Sequence, residues 1–224
     1  MAHAGRFTDH LGDEPVKTEL IRADHPIALR HAVDVLNHGG LVAFPTDTVY
    51  GLAALPFQTE TVERLFIAKG RNSDRAIALL IGAIQDLPKV TANFPLRATH
   101  LAERFWPGPL TLIVAGSLTL PEMISPNATV GVRMPDHAFA LELLRKIGPL
   151  AVTSANLSGH ENALTAQEVL AQLDGRIHLV LDGGRTPGSL PSTVVDCIST
   201  EMAILRAGPI SESDIRLALT GAAA

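Results

Sequence analysis

Short apolar runs alternate with amphipathic stretches along most of the chain, and several of the apolar runs stop at hydroxyl residues or an arginine. Leu41-Val42-Ala43-Phe44, Ile77 to Ile81, Leu110 to Ala115, Leu150 to Val152, Leu179 to Leu181, Thr193 to Ile198 and Ala203 to Leu205 have the length of strands. Val130 and Val132 form another, ending at Arg133. Strands this short and this uniformly apolar need cover on both faces, and the segments between them carry helical periodicity. The pattern predicts an α/β fold built on a mixed, mostly buried sheet.

The helices have start and stop marks. Asp24 before His25-Pro26 predicts a capped helix start, with Ile27, Val33 and Leu36 on one face and Gly39-Gly40 as the stop. Thr59 is expected to cap a helix running to about Ala68, and Pro95 to open one reaching Phe105-Trp106. His137 to Ile147 puts Phe139, Leu143 and Leu144 on one side. Thr165-Ala-Gln-Glu168 and Ser211-Glu-Ser-Asp214 have the form of capping boxes. Residues 1–17 are polar and aperiodic and are expected to form a flexible arm. No repeat or linker divides the rest, so 18–220 reads as one domain.

Composition narrows the function. With 46% hydrophobic and 18% charged residues, a chain of 224 residues can bury a substantial core. The net charge of −5 argues against broad coating of nucleic acid. One cysteine, Cys197, excludes an internal disulfide and any zinc site made of paired cysteines. Met1 to His10 lacks the apolar core of a secretory signal, and no run is long enough to span a bilayer, so a cytoplasmic location is expected.

The common catalytic signatures are missing. No two glycines stand two apart, no lysine follows a glycine, and no G-x-S-x-G elbow occurs. His160-Glu161 begins like a zincin helix, but Leu164 occupies the second histidine's place.

Several polar constellations remain. Lys69, Arg71 and Arg75 place three cations within seven residues, either as a solvated helix end or as a clamp for phosphate oxygens. Thr46-Asp-Thr48-Val-Tyr-Gly51 follows a strand and reads as simple turn chemistry or as a ligand loop. Arg133, at a strand end, is either paired with a carboxylate or aimed at an anion. Thr153-Ser154-Ala-Asn156, Ser192-Thr193 and Arg206 repeat the arrangement of a strand followed by donors. Together they describe a cavity lined by donors and positive charge, suited to an anionic ligand that spacing alone does not name.

In combination the segments PTDTVYGL (45–52), KGR (69–71), FWPGPLTLI (105–113), VGVRMPDH (130–137), TSANLSG (153–159), PSTVVD (191–196) and ILRAG (204–208) resemble the YrdC-type L-threonylcarbamoyladenylate synthase family. The resemblance spans about residues 20–219 and keeps the family's order. It implies a single-domain YrdC-like α/β fold, a twisted mixed sheet flanked by helices with a large, positively lined cavity. It implies condensation of L-threonine, bicarbonate or CO2, and ATP into threonylcarbamoyl-AMP and pyrophosphate. The product serves N6-threonylcarbamoyladenosine formation in tRNA through a separate transferase. Magnesium is expected with the ATP. Carried over by position, Lys69, Arg71, Arg75, Thr129, Asn156 and Arg206 would contact ATP, Arg75 only as a possible extra phosphate contact. Thr48, Arg133, Ser154 and Ser192 would contact L-threonine, Ser154 being able to meet the nucleotide instead. No covalent nucleophile is required, so positioning and charge stabilisation should dominate.

The sequence departs from the family pattern in places. Asn72, Arg75 and Ala76 stand where the family often has Pro, Asn and Pro, and Leu80 stands where many longer members have a threonine-contacting histidine. Longer members also close the site with a C-terminal domain, which a chain ending at Ala224 is not expected to carry. Two other readings share the fold: a carbamoyl-adenylate enzyme of hydrogenase-maturation type, using carbamoyl phosphate, and a non-catalytic double-stranded RNA-binding module.

Overall fold

Side chains on a strand alternate between its two faces, and here that alternation separates a buried core from a ligand-sized cavity. The computed structural model describes residues 16–70, 77–125, 127–188 and 190–220. In chain order the elements are β1 (Glu19–Arg22), α1 (Ala28–Asn37), β2 (Val42–Phe44), β3 (Gly51–Ala54), α2 (Thr59–Lys69), β4 (Ala78–Leu80), α3 (Leu87–Val90), β5 (Thr91–Asn93), α4 (Leu96–Phe105), β6 (Leu110–Gly116), β7 (Thr129–Arg133), α5 (Ala138–Ile147), β8 (Leu150–Ser154), α6 (Ala166–Leu173), β9 (Leu179–Asp182), β10 (Thr193–Asp196), β11 (Ala203–Arg206) and α7 (Glu212–Thr220). The arm expected over 1–17 lies outside the described residues except for its last two positions. Thr18 is tied down: its hydroxyl donates to the Ile177 carbonyl at 2.6 Å.

The strands form one mixed sheet in the order β1-β9-β2-β3-β8-β4-β7-β6-β10-β11, with β5 pairing β6 beside this path. β1 with β9, β9 with β2, β4 with β7 and β6 with β10 are parallel. The pairs β2–β3, β3–β8, β4–β8, β6–β7 and β10–β11 are antiparallel. The expected α/β class and mixed sheet are therefore present.

One face is covered by α2, α4, α6 and α7. Val62 and Leu65, Leu101, Val169 and Ile215 from these helices pack on Leu52, Leu79, Leu112, Val132, Val180 and Val195 from the strands. The other face is covered over part of its width by α1 and α5, where Ala32, Leu36, Leu143 and Leu144 meet Phe44, Leu150, Val152 and Leu181. Toward β7, β6 and β10 that second face carries a cavity instead. Thr111 and Ile113 on β6, Gly131 and Arg133 on β7, and Val194 on β10 line it. They alternate with residues of the first core: Leu110, Leu112, Val114, Val130, Val132 and Val195.

Several expected helix starts are corrected. α1 begins at Ala28 with Ile27 as cap residue and no side-chain cap bond. Asp24 pairs with Arg22 instead, at 2.7 Å, so its carboxylate is taken by a near cation rather than by helical N–H groups. The fully buried face of α1 is Ala28, Ala32 and Leu36, with Val33 partly buried against the same core and Ile27 exposed, because small residues allow the helix to lie close to β2 and β9. Thr59 does not cap α2. Gln58 is the cap position, and Thr61 donates to the Leu55 carbonyl at 2.6 Å and the Gln58 carbonyl at 2.8 Å. Thr165 caps α6 as expected, accepting from the Glu168 N–H at 3.2 Å while Glu168 accepts from the Leu164 N–H at 2.7 Å. Ser211 receives the Asp214 N–H at 3.2 Å.

Candidate functional site: a cation-lined cavity

The cavity has a volume of about 620 Å³, within the range of small-molecule and cofactor sites. Its floor is the bare second face of the sheet, and its walls are three loops and the end of α2. Gly131 lies on the floor beside Thr111 and Ile113. A Cβ there would come 3.0 Å from Thr111 Cγ2 and 3.2 Å from Ile113 Cδ1, so a larger residue would crowd the floor.

The first wall is the loop between β2 and β3, residues 45–50. Thr46 braces it, donating to the Val49 carbonyl at 2.7 Å and accepting the Thr48 N–H at 3.2 Å. Tyr50 is fully buried. Its hydroxyl donates to the Gly184 carbonyl at 2.7 Å and accepts the Gly183 N–H at 3.2 Å, fastening the segment after β9 behind the loop. Burial pushes its phenol up to about 12, so it stays a neutral donor. Gly188 lies against the loop so closely that a Cβ would sit 2.8 Å from Thr48 Cα.

Arg133 ends β7 and is 6% exposed. Its Nε donates to the Gly108 carbonyl at 3.0 Å, one terminal nitrogen to Thr48 Oγ1 at 3.0 Å, and the other to Asp47 Oδ1. Burial lowers its pKa, Asp47 opposes that shift, and the nearby Arg206 charge adds to it. Of the two alternatives open from sequence, the carboxylate pairing is present, and Arg133 also lines the cavity.

Lys69 closes α2. It is not a solvated helix end, because it is 3% exposed. Its ammonium donates to the carbonyls of Ser154 and Asn156 in the loop after β8, which fixes that loop against α2. The Ser158 N–H returns a bond to the Lys69 carbonyl at 2.9 Å. Asn156 Nδ2 donates to the carbonyls of Leu157 and His160 at 2.8 and 2.9 Å, which sets the amide's orientation. Its Oδ1 is then buried without a partner.

On the opposite wall, Arg206 donates through Nε to the Ser192 carbonyl and through a terminal nitrogen to Ser192 Oγ, both at 3.0 Å. Ser192 Oγ lies 2.7 Å from Thr111 Oγ1. Arg206 occupies one lone pair of Ser192, so the Ser192–Thr111 pair has one hydroxyl proton to share and one to give to a ligand. Arg206 is exposed at the rim, yet desolvation of its cavity side lowers its pKa.

The fold thus brings Thr48, Lys69, Arg133, Ser154, Asn156, Ser192 and Arg206 to one cavity. Thr129 is not in the lining; it begins β7, and its carbonyl accepts from Ser125 Oγ at 3.0 Å. Arg71 and Arg75 lie outside the described residues. Among the described residues, no group of three or more His, Cys, Asp or Glu could hold a metal ion.

With this geometry in hand, comparison with known proteins gives a clear outcome. A family model for Sua5, YciO and YrdC proteins, described as "Telomere recombination", matches residues 34–208. The chain belongs to the Sua5/YciO/YrdC family. A relative from Bacillus subtilis, named threonylcarbamoyl-AMP synthase, is 42% identical over 206 residues, covering 89% of this chain and 58% of its own length. A Mycobacterium tuberculosis relative, named putative threonylcarbamoyl-AMP synthase, is 38% identical over 185 residues, covering 82% of this chain and 85% of its own. Among solved structures, Pyrococcus abyssi Sua5 complexed with L-threonine superposes with a TM-score of 0.85 at 36% identity, over 91% of this chain and 60% of that one. The chain therefore spans less than two thirds of the first and third of these Sua5-type relatives.

Sequence reasoning missed two participants in the site. Asp47 was visible only as a turn former in the loop of Thr46 and Thr48, and nothing local points to a partner 86 positions away. Thr111 sat inside an apolar run, where period-two alternation marks it as facing away from Leu110 and Leu112. That alternation was the available sign.

Proposed function

We propose that the chain is an L-threonylcarbamoyladenylate synthase, making threonylcarbamoyl-AMP and pyrophosphate from L-threonine, bicarbonate or CO2, and ATP. The observation that carries the reading is the convergence of Lys69, Arg133 and Arg206 on one cavity otherwise lined mainly by hydroxyls, two asparagines, a histidine and apolar floor residues. A polyphosphate and an amino-acid carboxylate are the anions such a lining fits. The names of the 38–42% identical relatives support this activity over carbamoyl-phosphate chemistry and over RNA binding.

The chemistry needs placement more than reactive side chains. The threonine amine adds to the carbon of CO2 and loses a proton, giving a carbamate. A carbamate oxygen then attacks the α-phosphorus, the bond from that phosphorus to the bridging oxygen breaks, and pyrophosphate leaves. Arg133 has five N–H groups and uses three on the protein, which leaves two for the threonine carboxylate. Thr48, Ser154 and Ser192 would complete that end. Lys69, Asn156 and Arg206 would hold the nucleotide, with Arg71 and Arg75 as further phosphate contacts. Thr129, one pleat beyond Gly131 on the same face, would meet a nucleotide only where it extends past the lining. The described residues offer no carboxylate cluster, so magnesium would enter on the phosphates themselves, where it neutralises charge. The product's mixed anhydride suits handing over to a tRNA threonylcarbamoyl transferase. A cytoplasmic location suits that role, and no helix among the described residues is long and apolar enough to cross a membrane.

The test is mass-spectrometric detection of threonylcarbamoyl-AMP, alongside pyrophosphate release, with each substrate omitted in turn. Product that requires all three substrates is expected. Pyrophosphate release that does not depend on threonine would overturn the reading, and tight, salt-sensitive RNA binding without ATP would favour the RNA-binding alternative.

A further inference from the structure

We propose that Asp47 is the positioning residue for the amino-acid end of the cavity: its carboxylate sets the plane of the Arg133 guanidinium that receives the substrate carboxylate. This inference rests on the function proposed above.

A role in the turn does not account for Asp47. An aspartate that shapes its own loop accepts from backbone N–H groups one to three residues on. Here Thr46 braces the loop, accepting the Thr48 N–H and donating to the Val49 carbonyl. The Asp47 carboxylate is bonded instead to Arg133, through Oδ1, while Oδ2 is buried with no partner. Its side chain is 11% exposed and that of Arg133 is 7% exposed. Burying a half-satisfied carboxylate is unfavourable, and a neutral Asn or Ser would serve a polar turn without that cost. The negative charge is needed where Arg133 is, not where the loop turns.

The geometry shows what the charge does. Three acceptors fix the guanidinium: the Gly108 carbonyl, Thr48 Oγ1 and Asp47 Oδ1. The first two are neutral. Asp47 alone among these three opposes the loss of hydration and the repulsion from Arg206 that both act against a charged Arg133. The register partner of Arg133 on β4 is Leu80, whose side chain offers no acceptor. Without Asp47 the fork would keep two neutral acceptors, on Nε and one terminal nitrogen, with nothing to hold its second terminal nitrogen. Threonine would then meet a guanidinium held only by two neutral acceptors, and affinity for the amino acid would fall without a matching change for ATP.

The experiment compares wild type, Asp47→Asn and Asp47→Glu as full chains, by steady-state pyrophosphate release with threonine and ATP varied separately. Calorimetric titration of L-threonine and thermal melts accompany it. For Asp47→Asn the expected result is a threonine KM raised about tenfold or more, an ATP KM within about twofold, and a cooperative melt. Asp47→Glu keeps the charge one methylene further out and is expected to raise the threonine KM by about threefold only. An unchanged threonine KM in Asp47→Asn overturns the proposal. So do equal losses for both substrates with a lowered melting temperature, the mark of a purely structural role. If Asp47→Asn fails to fold, Asp47→Glu decides: a shift confined to threonine supports the proposal, and shifts shared with ATP overturn it. A wild-type chain that neither binds threonine nor turns it over removes both the proposed function and this inference. An active wild type with an indifferent Asp47→Asn removes only the inference.

Discussion

The two faces of the central sheet are made by the same strands and do opposite work. On β7, Val130 and Val132 pack into the larger core, while Gly131 and Arg133 line the cavity. On β6, Leu110, Leu112 and Val114 belong to the core, and Thr111 and Ile113 to the cavity. Helices α2, α4, α6 and α7 cover the first face. The second is covered by α1 and α5 over part of its width and left open beyond. An open sheet face would expose apolar area to water, and here a small, polar and cationic set of residues stands in for the missing helix. Burial on one side supplies the stability that lets buried charge be placed on the other.

Substitutions that act on one face and spare the other can break this comparison. The largest effect is expected for Lys69→Ala, with a loss of about 100-fold or more in pyrophosphate release under saturating substrates. It should also lower stability by about 1–3 kcal/mol, because the Ser154 and Asn156 carbonyls lose their shared donor. Full activity would remove Lys69 from the site. Next is a matched pair on β6. Leu112→Ala should destabilise by about 2–5 kcal/mol in denaturant unfolding, leaving the KM values of the folded fraction intact. Thr111→Val should cost only about 1 kcal/mol but lower activity about tenfold, through the lost Ser192 contact. If the neighbouring positions behave alike, the division of labour between faces is wrong.

The smallest effect concerns the covered part of the second face. His137 caps α5, its Nδ1 accepting the Ala140 N–H at 3.4 Å, and burial lowers its pKa from 6.5, against the pull of Asp47 and Asp136. The cap needs neutral imidazole. Its contribution is therefore present above pH 6.5 and lost as pH falls through the lower folded-state value. His137→Ala should cost about 1 kcal/mol at pH 8 and progressively less in acid, while His137→Asn should retain the cap and flatten the dependence. Melts across pH 4–8, about four units, would show a parallel loss at all pH values if the cap were not involved.

Much of the fold was legible because period and polarity are local. The apolar runs of β2, β4, β6, β8, β9 and β10 and the caps at Thr165 and Ser211 were read directly. β3 was not, because Gly-Leu-Ala-Ala has no β-branched residue; it is a strand because β2 and β8 pair with it on both sides. β1 escaped for the opposite reason: it is a mostly exposed edge strand with one partner. The Asp24 cap failed because Arg22 takes its carboxylate, and the Thr59 cap because the helix already includes Thr59, with Gln58 at the cap position. In the site, the cations and hydroxyls were visible one segment at a time, and the family resemblance joined them. Asp47 was not, since its meaning lies in its partner.

The amino-acid sequence by itself determined the alternation of strands and helices, and which strand ends carry hydroxyls, lysine and arginine. Hydrophobic period and residue chemistry act within a few positions and need no knowledge of the rest of the chain. The tertiary structure alone decided that Lys69 meets the loop after β8, that Arg206 braces Ser192 against Thr111, and that Asp47 holds Arg133. Those contacts follow from strand order and register, which bring residues up to 87 positions apart within hydrogen-bond distance. Nothing in the local pattern of either partner specifies that order.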